Sequence, residues 1–219
     1  MNDDIVRNAI QMSSSNDLAP AWTSAFRPYL EREFRVELQT PVRFPAGRAV
    51  PDVPAVFLRF PKWGGQPFVD DFGRKSAALI ELNGEHLLAE LAVLRLLRND
   101  GWDGRWVSTY SAGKEVWKYL THWEDVPRSE QKTRPIEDSE PRQTLARIAG
   151  FNKPRRYKGC WDVFAWRSSQ FAFVQCKRAT AKSKEMLGKD QEEWLRSALF
   201  LGDPRLTVDS FCFVQWDYQ

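Results

Sequence analysis

The sequence predicts an α/β fold, a mixed central β-sheet flanked by helices, and three stretches predict it. Residues 83–100 place Leu87, Leu91, Leu94 and Leu97 at helical spacing. Residues 163–166 (V-F-A-W) and 171–174 (F-A-F-V) read as two strands joined by R-S-S-Q. Residues 190–201 carry Trp194, Leu195, Ala198 and Leu199 in a helical pattern, and a strand-like run follows at 211–216. From residue 83 the order is helix, strand, insertion, hairpin, helix, strand.

The remaining elements are read in chain order. The first dozen residues look frayed, with Ser13, Ser14 and Ser15 as a polar break. Eight prolines then punctuate the chain between Pro20 and Pro67. Only short extended pieces, 34–38 and 55–60, fit between them. Residues 1–75 are therefore expected to be a β-rich or irregular N-terminal extension of unassigned role, and 76–219 the main domain. Asn83 is a candidate N-cap, with Glu85 in the first turn and Gly101 ending the helix. Glu90 falls on or beside the apolar face of that helix, where a carboxylate needs a partner; a structural salt bridge is the plainer reading. Residues 106–110 read as a strand. Residues 122–141 are polar and acid-rich without a period, as in a loop or flexible insertion. Residues 142–149 read as a short helix.

The hairpin makes a geometric claim. If its loop closes symmetrically, Trp166 pairs with Phe171, Val163 with Val174, and Asp162 with Gln175. Alternation then puts Lys177 on the same face as Gln175. A one-residue slip would undo this convergence.

Composition narrows the function. Ten tryptophans and fourteen phenylalanines supply core, with the option that some stack on bases. No run of about 18 apolar residues exists, so no membrane span is expected. The N-terminus lacks the pattern of a secretion signal. Cys160, Cys176 and Cys212 form no metal-like spacing, and a sparse, odd count suits a reducing compartment, so a cytoplasmic location is expected. With only His86 and His122, a zinc site or a serine–histidine triad is poorly supported. The net charge of +3 is unevenly spread. Residues 151–189 hold ten basic and two acidic residues, a local +8 against −5 for the rest. Such a field suits a polyanion, although a solvated basic surface would look the same.

The stretch G-C-W-D-V-F-A-W-R-S-S-Q-F-A-F-V-Q-C-K-R, residues 159–178, resembles the signature of the PD-(D/E)XK nuclease superfamily. Asp162 takes the place of its metal-binding aspartate, Gln175 of the second-motif glutamate and Lys177 of its lysine. The tail V-Q-C-K-R is similar to Mrr-type restriction endonucleases, which also carry Gln there. The flow into a helix bearing Gln191 resembles VRR-NUC domains and archaeal Holliday-junction resolvases. Residues 90–101 (E-L-A-V-L-R-L-L-R-N-D-G) resemble the first helix of those resolvases, which makes Glu90 a better site candidate than Glu85. The resemblance runs from about 83 to 216 and implies a restriction-endonuclease-like core. Trp161 replaces the proline that often precedes the aspartate.

The implied activity is divalent-metal-dependent DNA endonuclease chemistry, for restriction, phage defence or branched-DNA repair. A hard ion, Mg²⁺ or Mn²⁺, takes oxygen ligands. Those implied are Asp162, the Gln175 side chain, the Cys176 carbonyl and Glu90. Lys177 would orient water or stabilise developing charge. Gln at 175 removes one negative charge and should weaken Mg²⁺ binding. Gln191 completes the expected catalytic set. Lys153, Arg155, Arg156, Lys158 and Arg178 are candidates to hold DNA phosphates; the first four could equally form an exposed basic loop. The expected partner is DNA. Analogy with the resolvases adds a homodimer, and a larger defence or repair complex stays open. The competing functions are a nucleic-acid-binding module with a degenerate site and a partner-docking subunit.

Overall fold

A computed structural model describes residues 19–43, 49–65, 78–109, 116, 118–180 and 187–219. The elements are α1 (Thr23–Phe26), β1 (Leu30–Arg43), β2 (Ala49–Phe60), β3 (Ile80–Leu82), β4 (Glu85–Leu87), α2 (Ala89–Asn99), β5 (Asp103–Ser108), β6 (Lys118–Leu120), α3 (Ser139–Phe151), β7 (Val163–Arg167), β8 (Gln170–Arg178), α4 (Lys189–Phe200) and β9 (Phe211–Tyr218). Seven strands form one mixed sheet in the order β1-β2-β9-β8-β7-β5-β6. The β2–β9 and β9–β8 pairs are parallel, and the other pairs are antiparallel. The parallel β8–β9 pair needs a crossover, and α4 supplies it.

The hairpin closes as its symmetry predicts. Val163 pairs with Val174 and Trp166 with Phe171; Arg167 opposite Gln170 tightens the turn to Ser168 and Ser169. Alternation sorts side chains by size. Val163, Ala165, Ala172 and Val174 face α2, whereas Phe164, Trp166, Phe171 and Phe173 face α3 and α4. The aromatic face stacks Phe173 between Phe164 at 4.6 Å and Phe211 at 5.0 Å. The opposite face is thin, so α2 settles close to the sheet. At Gly104 on β5, a Cβ would sit 2.9 Å from Leu94 Cδ1 of that helix. This close approach brings the first turn of α2, with Glu90, down towards β7 and β8.

Three expectations change. Asn83 is not the N-cap of α2. Asn83 and Gly84 both take positive φ, 54° and 82°, and turn β3 into β4; Asn-Gly between strand-like residues is a hairpin signal. The helix starts six residues later, at Ala89, and Leu87 lies in β4. Second, the short pieces 34–38 and 55–60 are parts of two long strands. Pro54 is tolerated because β9 begins to pair only at Ala55, which leaves the preceding stretch of β2 paired to β1 alone. Third, α3 starts at Ser139, with Pro141 in its first turn, where a missing N–H costs nothing.

The expected boundary near 75 lies outside the described residues, and the chain on both sides of it joins the same sheet. The first dozen residues and Tyr110 also lie outside them. The polar stretch 122–141 is a loop only as far as Asp138, with a short 3₁₀ turn, Arg128–Glu130; its last three residues open α3. It is pinned by Gln131, 1% exposed, whose side-chain amide binds the Glu124 N–H at 2.9 Å and the Val126 carbonyl at 2.8 Å.

Candidate active site

Asp162 precedes β7 by one residue, at the end of the sheet where β8 runs on beyond its partner. Its Oδ2 accepts the backbone N–H of Cys176 at 2.8 Å and a short bond from Gln175 Nε2. The amide of Gln175 must turn its nitrogen to the carboxylate, because its oxygen would meet another lone pair. The Gln175 Oε1 that results is buried and has no hydrogen-bond partner among the described residues.

The α2 helix brings Glu90 to the same place from the other face. Burial raises the Asp162 carboxyl well above its usual range, and the nearby Glu90 charge raises it further, while the Cys176 N–H and Gln175 amide pull the other way. Burial also raises Glu90, and it pushes up the Cys176 thiol, helped by Asp162 and Glu90. The structure therefore brings Glu90, Asp162, Gln175 and Cys176 together.

Lys177 and Gln191 join them across a cleft of about 250 Å³ lined by Gln175, Cys176, Lys177, Leu187, Gly188, Gln191 and Phe213. Gln191 is in the first turn of α4. Two residues that the motif reading missed hold it there. A Cβ at Gly188 would lie 2.4 Å from Gln191 Oε1, so the glycine is what lets the amide rest over the helix start. Trp161, directly before Asp162, donates its indole N–H to the Gln191 carbonyl at 3.2 Å. A glycine two residues before a predicted helix was the available signal for the first; nothing local signalled the second.

The candidate phosphate-binding residues divide. Arg155 and Lys158 both pair with Asp190, at 2.7 and 3.2 Å, so they staple the basic loop to α4. Lys153 and Arg156 are exposed. Gly159 makes the staple possible: it has φ +83°, and a Cβ there would sit 1.9 Å from the Asp190 carbonyl oxygen. Arg178 lies on the α2 face, paired with Asp217 at 3.3 Å and 4.3 Å from the Tyr218 ring centroid.

The donor set is all oxygen: two carboxylates, the Cys176 carbonyl and the orphaned Gln175 Oε1. That chemistry fits a hard divalent ion that keeps several of its own waters. An ion there would pair the orphaned Gln175 acceptor and ease the crowding of the two carboxylates. Among the described residues no group of three or more His, Cys, Asp and Glu is placed to hold a metal ion, so any ion here relies on the neutral oxygens as well. Among them, too, no helix is long and apolar enough to cross a membrane. Comparison with family models, with curated proteins and with solved structures found no match to this chain.

Proposed function

We propose that this chain is a divalent-metal-dependent DNA endonuclease of the PD-(D/E)XK kind. The observation that carries the reading is the meeting of Asp162, Gln175 and Lys177 at one end of the β7–β8 hairpin, with Glu90 arriving from the opposite face. With β6 and α3 set aside as an insertion between β5 and β7, the order α2, β5, β7, β8, α4, β9 is also the order expected of a restriction-endonuclease-like core.

When bound, Mg²⁺ or Mn²⁺ would stabilise charge on the phosphoryl group and acidify an attacking water. Asp162 and Glu90 supply the negative charge that holds the ion, with Gln175 Oε1 and the Cys176 carbonyl as neutral donors. The Cys176 N–H fixes the orientation of Asp162. Lys177 brings a positive charge to the cleft, where it offsets the charge that develops as the P–O bond breaks. Gln191 orients water across the same cleft.

One observation favours a second reading, a nucleic-acid-binding module with a degenerate site. Asp162 Oδ2 already receives two N–H groups, an arrangement that a glutamate at 175 could not make. Incubation of the purified chain with linear, branched and single-stranded DNA, in Mg²⁺, Mn²⁺ or EDTA, separates the two. Cleavage in either metal and none in EDTA supports the nuclease. Binding without cleavage of any form in either metal supports the module.

A further inference from the structure

The basic loop before Asp162 is not the only cationic surface beside the site. At the carboxyl ends of β2, β8 and β9, cations and aromatic rings interleave. Arg178 lies 4.3 Å from the Tyr218 ring centroid and 5.7 Å from that of Trp216. Lys62 Nζ lies 5.7 Å from the Tyr218 centroid. The next residue, Trp63, stacks on His86 at 4.8 Å with 19° between the rings. Lys62 is exposed; Trp63, His86, Arg178 and Tyr218 are half-buried. The acids nearby are engaged: Asp217 with Arg178, and Glu81, opposite His86, with the Gly84 N–H at 3.1 Å.

This surface meets the site on the α2 side, from which Glu90 arrives. Arg178 follows Lys177 directly but lies on the opposite face of β8 from the Lys177 cleft. His86 precedes Glu90 by four residues, a span of at most about 14 Å of chain. The parallel β2–β9–β8 pairing puts Phe60 beside Tyr218 and Trp216 beside Arg178, so the strip continues along one edge of the sheet. The basic loop carries a single ring among its cations, Tyr157, which is occupied by stacking on Trp194 at 6.2 Å; Asp190 offsets two of that loop's four cations, as Asp217 offsets Arg178 in the strip.

We infer that the edge formed by Lys62, Trp63, His86, Arg178 and Tyr218 binds single-stranded DNA, and feeds a strand to the Asp162–Lys177 site. Cations track the phosphates, and flat side chains accept bases that a duplex would keep stacked away. This rests on the nuclease reading for its purpose, but its test does not need cleavage.

The test is fluorescence anisotropy of the full chain in EDTA with a labelled 20-nucleotide single-stranded DNA, the matching duplex, and single-stranded RNA. Single-stranded DNA should bind at least fivefold more tightly than the duplex. Lys62→Glu and Trp63→Ala should each weaken it about tenfold, with Arg142→Glu, at an exposed position on α3, changing it less than twofold. Thermal melting checks that Trp63→Ala folds; Lys62→Glu, at an exposed position, keeps the test open if it does not. Duplex binding as tight as single strand, unchanged affinity in Lys62→Glu, or tenfold preference for RNA would overturn the inference. Loss of cleavage with this binding pattern intact would instead count against the nuclease reading alone.

Discussion

The Cys176 backbone N–H meets Asp162 Oδ2 at 2.8 Å, and through that bond the site's central carboxyl group is fixed by the sheet itself. The adjacent Gln175 amide then takes up the same oxygen and leaves its own Oε1 buried and without a partner among the described residues. On the proposed nuclease reading, residue 175 therefore sets how strongly the site would hold a cation.

Gln175→Glu should tighten Mn²⁺ and Mg²⁺ binding by about tenfold or more, since it adds a charged oxygen ligand and removes the competing amide. In the absence of metal it should lower the melting temperature, because three carboxylates then crowd one place. Calorimetric titration with Mn²⁺ and melting curves with and without metal measure both. Unchanged affinity would show that residue 175 does not face the ion.

The two glycines around α4 should behave differently. Gly159→Ala meets backbone at a positive φ and should cost about 3 kcal/mol. Gly188→Ala meets only the end of the Gln191 side chain. It should leave urea stability nearly unchanged and lower the cleavage rate by displacing that amide. Equal loss of stability in both would show that Gln191 cannot move aside.

Asp203 provides a pH test away from the site. The Arg205 side chain leads the interactions that hold its carboxyl down to about 2, with Arg205 Nη2 at 2.8 Å and Arg147 Nη1 at 3.3 Å. A depressed carboxyl stabilises the fold above its unfolded value, near 4, and that stability is lost as the pH falls through the folded value, near 2. Asp203→Asn should thus cost about 2 kcal/mol at pH 7. The gap from wild type in urea unfolding should narrow between pH 4 and pH 2. A gap that stays constant over this range would mean that the charge is not what Asp203 contributes.

Much of the site was legible because a strand pair obeys a count. Once the hairpin was seen, pairing from its centre placed Asp162 against Gln175, and the count survived a turn two residues shorter than expected. Glu90 was legible as a carboxylate beside an apolar stripe. What stayed hidden depended on distant partners. Nothing local to Arg155 or Lys158 announces Asp190, and nothing near Trp161 announces the Gln191 carbonyl. Proline spacing hid two long strands, because Pro54 is harmless only where β9 has not yet begun to pair. Asn83 resembles a helix cap in isolation, but Gly84 beside it marks the turn between β3 and β4.

The central claim is that Asp162 and Lys177 act together on a phosphodiester, and single-turnover cleavage in Mn²⁺ by Asp162→Ala and Lys177→Ala tests it most directly. Both variants should melt within a few degrees of wild type and retain most DNA binding, and both should lose cleavage by about a thousandfold or more. Asp162→Ala should also lose Mn²⁺ affinity in calorimetry, and Lys177→Ala should keep it, because the lysine offers the ion no ligand. Cleavage by Asp162→Ala at the wild-type rate would contradict the account.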